Sequence, residues 1–158
     1  MKELPIIVKL KEELGDLQVE MTQELPKRLE EARAHGDLRE NAEYDAAKNR
    51  QGLVRARMAQ IRERIGDLSV YDRARIPLDR ASYGSRVTVE DADSGAEVEY
   101  HIVFPEEVER GTPTISISSP IGQALLNKAV GDEVVVHTPN GKKNIEILDL
   151  KTLHDLED

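Results

Sequence analysis

The sequence predicts an α+β protein, with an N-terminal antiparallel coiled-coil hairpin over residues 1–75 and a small antiparallel β-sheet domain with one helix over residues 76–158. Three observations carry this. Apolar residues recur at steps of three and four through position 68. A short interruption at residues 34–45 breaks that pattern once, which turns two helices back along one another. Beyond Pro77 the periodicity changes to two, the alternation of half-buried strands.

The first helical pattern runs through Leu10, Leu14, Leu17, Met21, Leu25, Leu29 and Ala32, and its three consecutive four-residue steps after Leu17 interrupt the heptad. Pro26 falls at that point, and its missing N–H predicts a kink near residues 22–26. The second pattern is unbroken: Tyr44, Ala47, Gln51, Val54, Met58, Ile61, Ile65 and Leu68 alternate steps of three and four. Gln51 is its one polar position, a residue type that fixes register in such seams. Each arm, at about 1.5 Å of rise per residue, would carry the hairpin tip about 40 Å from its base.

Basic residues flank the second seam in two stripes, Lys48, Arg55 and Arg62 on one side and Arg50, Arg57 and Arg64 on the other. Folding the hairpin about its tip places Glu20 near Arg57 and Glu13 near Arg64, as flank ion pairs. The other stripe faces no comparable acids, so Lys48 and Arg55 are the candidates to touch a phosphate backbone, which the resemblance given below would make RNA, although a solvated basic face has the same pattern.

After a linker at about 70–80, strands are expected at residues 86–90, 97–103, 114–118, 133–138 and 144–150, with a short helix at 120–128. Asp93-Ser94-Gly95 marks one turn and Pro139-Asn140-Gly141 the turn of a final hairpin. Ser119 and Pro120 have the chemistry of a helix start, a hydroxyl cap followed by a first-turn proline.

The tip itself reads His35-Gly36-Asp37-Leu38-Arg39-Glu40-Asn41-Ala42-Glu43-Tyr44. Local chemistry alone gives it a structural role. Gly36 suits the left-handed conformation that closes a helix. Asp37 and Glu40 have the spacing of a capping box, in which the first residue accepts from the next helix and the second reaches back.

Composition narrows the function. The chain has 158 residues, no cysteine and a net charge of −9, all of it carried by residues 79–158, since the first 78 are neutral. A general nucleic-acid binder needs clustered basic residues, which this acidic half lacks; docking on a basic protein partner suits it better. There is no disulfide or thiolate chemistry, and His35, His101, His137 and His154 show no metal spacing. The N-terminal apolar run is too short and too charged for a signal peptide, and no stretch reaches transmembrane length, so a cytoplasmic protein is expected.

These residues resemble the GreA/GreB family of bacterial transcript cleavage factors. The tip decapeptide between two coiled-coil helices is similar to the family's tip, and Ser119-Pro120-Ile121, Leu125-Leu126 and Gly131-Asp132 are similar to its C-terminal signature. The charge balance is closer to the A-type than to the more basic B-type. The resemblance implies an FK506-binding-protein-like C-terminal domain. It also implies a monomer that is not itself an enzyme, has no membrane role, and binds RNA polymerase at the rim of the secondary channel through Ser119 and Pro120.

The hairpin would reach the active centre of a backtracked complex, near the nascent RNA 3′ end. There Asp37 and Glu40 would hold a Mg²⁺ shared with polymerase and promote cleavage of the transcript. Asn41 and Glu43 would support the tip, and Tyr44 would brace it. Three other readings share these features: a channel-binding antagonist without cleavage activity, a prolyl isomerase-like module, and a coiled-coil adaptor whose tip acids only cap.

Overall fold

The computed structural model describes residues 3–36 and 41–157. It divides into two compact units, Met1–Arg73 and Ala74–Asp158.

In the first unit, α1 (Pro5–Val19), a π-helical turn (Glu20–Glu24) and α2 (Leu25–Ala34) form one arm, and α3 (Ala42–Leu68) forms the other. The expected seam residues face inward. Leu25, Val54 and Met58 are buried together, with Leu14, Leu17 and Met21 packed around them, and Ala32, Ala47, Ile61 and Leu68 are also buried.

Where a kink was expected at residues 22–26, the helix takes a wider turn, in which the Leu25 N–H donates to the Glu20 carbonyl five residues back. Three successive four-residue steps hold one residue more than a heptad allows, and a π turn absorbs one extra residue. Pro26, which has no N–H to give, then sits in the first turn of α2, where none is needed.

The structure also corrects the expected ion pairs. Glu20 is bound by Arg50, through Nε at 2.6 Å and an Nη at 2.8 Å. Glu13 is bound by Arg57 at 2.8 and 3.0 Å. The stripe is the one anticipated, but both pairs lie one heptad nearer the tip on α3 than Arg57 and Arg64.

The fork of Arg57 holds the Glu13 carboxyl below its ordinary value of 4.5, and Arg50 does the same to Glu20. A carboxylate whose pKa is lower in the folded state stabilises above its unfolded value, and loses that contribution as pH falls through the folded one. The hairpin is therefore expected to melt at lower temperature as pH drops below about 4.5. A variant with Glu13→Gln and Glu20→Gln should show a flatter dependence when ellipticity is followed against temperature at several pH values.

In the second unit, β1 (Arg86–Asp91), β2 (Glu97–Val103), β3 (Thr114–Ser116), β4 (Glu133–Thr138) and β5 (Gly141–Lys151) form one sheet in the order β3-β2-β1-β5-β4. Three of the four pairings are antiparallel, but β2 and β3 run parallel, from His101 opposite Thr114 to Val103 opposite Ser116. The expected antiparallel sheet is thus a mixed one. A 3₁₀ turn at Pro105–Glu107 and a loop pinned by Thr112 and Thr114 on the Glu109 carbonyl return the chain to enter β3 in the direction of β2.

A second helix, α5 (Leu153–Glu157), joins the expected α4 (Pro120–Leu125). Val87, Val89, Ile102, Leu125, Val134, Val136, Ile145 and Ile147 make the core. The pairing of β1 with β5 shifts between Thr88 and Val89. That bulge leaves Leu148 without a partner, so Ile147 and Leu150 both turn inward although they are not two apart. Thr138 lies opposite Gly141, which leaves Pro139 and Asn140 as the turn of the last hairpin.

On the opposite face Glu97, Glu90, Glu146 and Glu133 are direct cross-strand neighbours in one row over four strands. Like charges so placed repel. Four of the acids of this half therefore stand in one row across the sheet.

Candidate functional site

The hairpin tip is built from the ends of α2 and α3. Asp37 and Glu40, the two acids assigned to metal and catalysis, lie outside the described residues, so the structure speaks to their frame. α2 ends in a tight turn at His35, with φ −98° and ψ −1°, whose N–H reaches the Ala32 carbonyl at 3.3 Å. Gly36 does not take the expected left-handed conformation, because among the described residues the glycines that do all lie in the second unit. The tightened turn ends the helix before Gly36.

α3 starts at Ala42, and its cap is Asn41. The backbone of Asn41 is extended, at φ −94° and ψ 97°, and its Oδ1 accepts from the Tyr44 N–H at 3.1 Å. This corrects the capping-box reading: the helix begins too late for Asp37 to be its cap or Glu40 its third residue. Asn is as good a cap as Asp, and Glu43 and Asp45 supply the first-turn negative charge that the helix dipole favours.

Asn41 does more than cap. Its Nδ2 donates to the Ala32 carbonyl at 2.6 Å, which ties the start of α3 to the last turn of α2. Tyr44, half-buried at the head of the seam, lies beneath the Arg33 guanidinium, 5.7 Å from ring centroid to Cζ, a cation–π contact. Arg33 is also the basic residue of the last turn of α2, where the helix dipole favours positive charge. Glu43 is exposed and borders a shallow depression with Arg28, Glu31 and His35. Lys48 and Arg55 are exposed on α3, and no described acid pairs with either.

Metal binding at the tip rests on donor chemistry. Two carboxylates are hard oxygen donors of the kind Mg²⁺ takes, though too few to enclose it. Among the described residues no three His, Asp or Glu side chains gather into a metal site.

The second candidate surface surrounds α4. Ser119 Oγ accepts from the Gly122 N–H at 3.0 Å and donates to the Ser116 carbonyl at 2.7 Å, so it caps the helix and anchors it to the end of β3. Pro120 follows in the first turn, exposed. Gly122 was missed in the sequence. A Cβ there would lie 2.2 Å from the Ser116 carbonyl oxygen. The signal was a glycine two residues after the proline, inside a six-residue helix.

Two of the three aromatic residues of this unit are buried in its core. Tyr83 and Phe104 are 4% and 3% exposed and pack on each other with centroids 4.6 Å apart. The Tyr83 hydroxyl is bound to Glu107.

The fold and tip together define a class, a coiled-coil probe joined to a small β domain. Comparison with known proteins gives the family. Residues 7–70 match the family model described as transcription elongation factor, N-terminal, and residues 76–152 that described as transcription elongation factor, GreA/GreB, C-term. Transcription elongation factor GreA of Desulfotalea psychrophila is 43% identical over 144 residues, 91% of this chain and 89% of that one. The protein of the same name from Anaeromyxobacter sp. is 43% identical over 141 residues, 89% of this chain and 85% of that one. A crystal structure of GreA factor homolog 1 of Thermus thermophilus is 28% identical, with a TM-score of 0.40 over 91% of this chain and 93% of that one. The chain belongs to the GreA/GreB family of transcription elongation factors.

Among the described residues no helix is long and apolar enough to cross a membrane.

Proposed function

We propose that the protein stimulates RNA polymerase's own endonucleolytic cleavage of backtracked RNA in the cytoplasm and so returns arrested complexes to elongation. It acts as a monomer and completes polymerase's active site, with no separate active site of its own. Family membership supports this, and one structural observation carries it: α3 starts at Ala42 and its N-cap is Asn41, so neither Asp37 nor Glu40 holds the capping position. Two acids without that capping task, at the end of a thin hairpin, are available to a metal in another protein's active centre.

In this reading the hairpin enters the secondary channel, and the second unit holds the rim through the surface presented by Ser119 and Pro120. Asp37 and Glu40 would hold the shared Mg²⁺ near the RNA 3′ end. Lys48 and Arg55 on α3 offer positive charge to the extruded RNA, and Tyr44 and Glu43 keep the tip's shape and polarity. Bound between protein and polymerase, Mg²⁺ would supply Lewis-acid stabilisation of the attacking and leaving oxygens.

The channel-antagonist and prolyl-isomerase readings are not favoured. The full-length curated relatives above carry the elongation-factor name, and the Tyr83–Phe104 pair is committed to the core.

The test is RNA cleavage in stalled, backtracked polymerase complexes with and without the protein. A rise in the rate at which 3′ fragments are released is expected. Tight binding to polymerase with no rise would make the protein an antagonist, and no binding would leave it a structural hairpin.

A further inference from the structure

We propose that Asn41 is a positioning residue for the cleavage reaction, because its side-chain amide bolts the two helix ends that bracket Asp37 and Glu40. The inference rests on the proposed function for its readout and on geometry for its substance. Both ends of the amide are in use: Oδ1 accepts from the Tyr44 N–H at 3.1 Å on α3, and Nδ2 donates to the Ala32 carbonyl at 2.6 Å on α2. These partners fix which way the amide faces, since a carbonyl requires a donor and an N–H an acceptor.

The Ala32 carbonyl already accepts from the His35 N–H at 3.3 Å. Asn41 therefore joins the terminal turn of one helix to the first turn of the other, and the chain between them must span a set distance. Helix capping uses only half of this side chain. An aspartate would cap as well but has no donor, and a serine, whose single hydroxyl is one bond shorter, cannot place a donor where Nδ2 lies. The donor half serves the tip.

Carboxylates that share a metal with another protein must arrive with small error, and loss of groups that orient metal ligands costs about ten- to a hundredfold in activity or metal affinity. Asn41→Asp keeps the cap acceptor and sets a carboxylate oxygen against the Ala32 carbonyl. Asn41→Ser keeps a cap without adding charge. Both are expected to bind polymerase within about twofold of wild type, to cleave backtracked RNA about tenfold or more slowly at saturating protein, and to need more Mg²⁺ for half-maximal rate.

Amide hydrogen exchange over residues 33–36 in the free protein should accelerate in both variants. Wild-type cleavage rates with unchanged exchange would overturn the proposal, as would a loss of cleavage fully explained by weaker polymerase binding. If wild type itself fails to raise cleavage, the proposed function falls, and the exchange measurement alone still decides whether Asn41 ties the tip.

Discussion

Changing Asp37→Asn and Glu40→Gln together is expected to lower RNA cleavage in backtracked complexes by about a hundredfold or more, while helicity and polymerase affinity stay as in wild type. The substitutions keep size and hydrogen-bonding oxygens and remove two charges. If the acids hold a shared Mg²⁺, their loss removes several kcal/mol of transition-state stabilisation, and each ~1.4 kcal/mol is a factor of ten in rate. If they only capped, the amides would substitute almost fully, because Asn is as good a cap as Asp.

The position of the cap sharpens this contrast. Since Asn41 already caps α3, thermal unfolding followed by circular dichroism should be unchanged in the double variant. A fall in melting temperature together with retained cleavage would refute the catalytic assignment.

The second large effect is expected at Gly122. An alanine there must move the Ser116 carbonyl, whose oxygen lies 2.2 Å from the ideal Cβ position. That oxygen also accepts from the Ser119 N–H at 3.0 Å and from Ser119 Oγ at 2.7 Å, so the strand end cannot shift without loosening the cap. Two effects compete. Alanine gains about 1 kcal/mol over glycine as a helix former, whereas overpacking against fixed backbone costs about 3 kcal/mol.

The net loss of about 2 kcal/mol corresponds to a drop of roughly 10 °C in the melting temperature of a unit this size. Pro120 sits on the turn that would be displaced, so polymerase affinity should fall as well. Gly122→Ala with wild-type melting and affinity would show that the helix can slide off β3 at no cost.

Much of this fold is legible in the sequence, for reasons that differ by element. The α3 seam is plain because eight positions repeat one message, and a single exception such as Gln51 cannot hide it. The sheet strands are clear where alternation is clean, as at Val87 and Val89. What is obscured depends on counting or on competition. The partners of Glu13 and Glu20 lie one heptad nearer the tip than folding about the tip gives, because pairing depends on where the two arms meet and the sequence shows each arm alone.

The start of α3 was misjudged because Asp37 and Asn41 are both good caps four residues apart, and tertiary contact with Ala32 favours the second. The parallel pairing of β3 is set by the path of the 104–113 loop, which leaves no periodic trace in a three-residue strand. Leu148 breaks the alternation of β5 for the same kind of reason, since a bulge is a property of two strands and the sequence shows one.

The π turn gives the two arms unequal tolerance for changes of length. In the first arm a residue removed from Glu20–Glu24 can be taken up by closing that turn to ordinary helix, with the seam on either side left in phase. α3 holds no such joint over its 27 residues. One residue lost there would rotate everything beyond it by about 100° and shorten the arm by about 1.5 Å. The hairpin is therefore a ruler with a fixed scale along α3 and an adjustable one along its partner, and the distance from base to tip is written in the length of α3 alone.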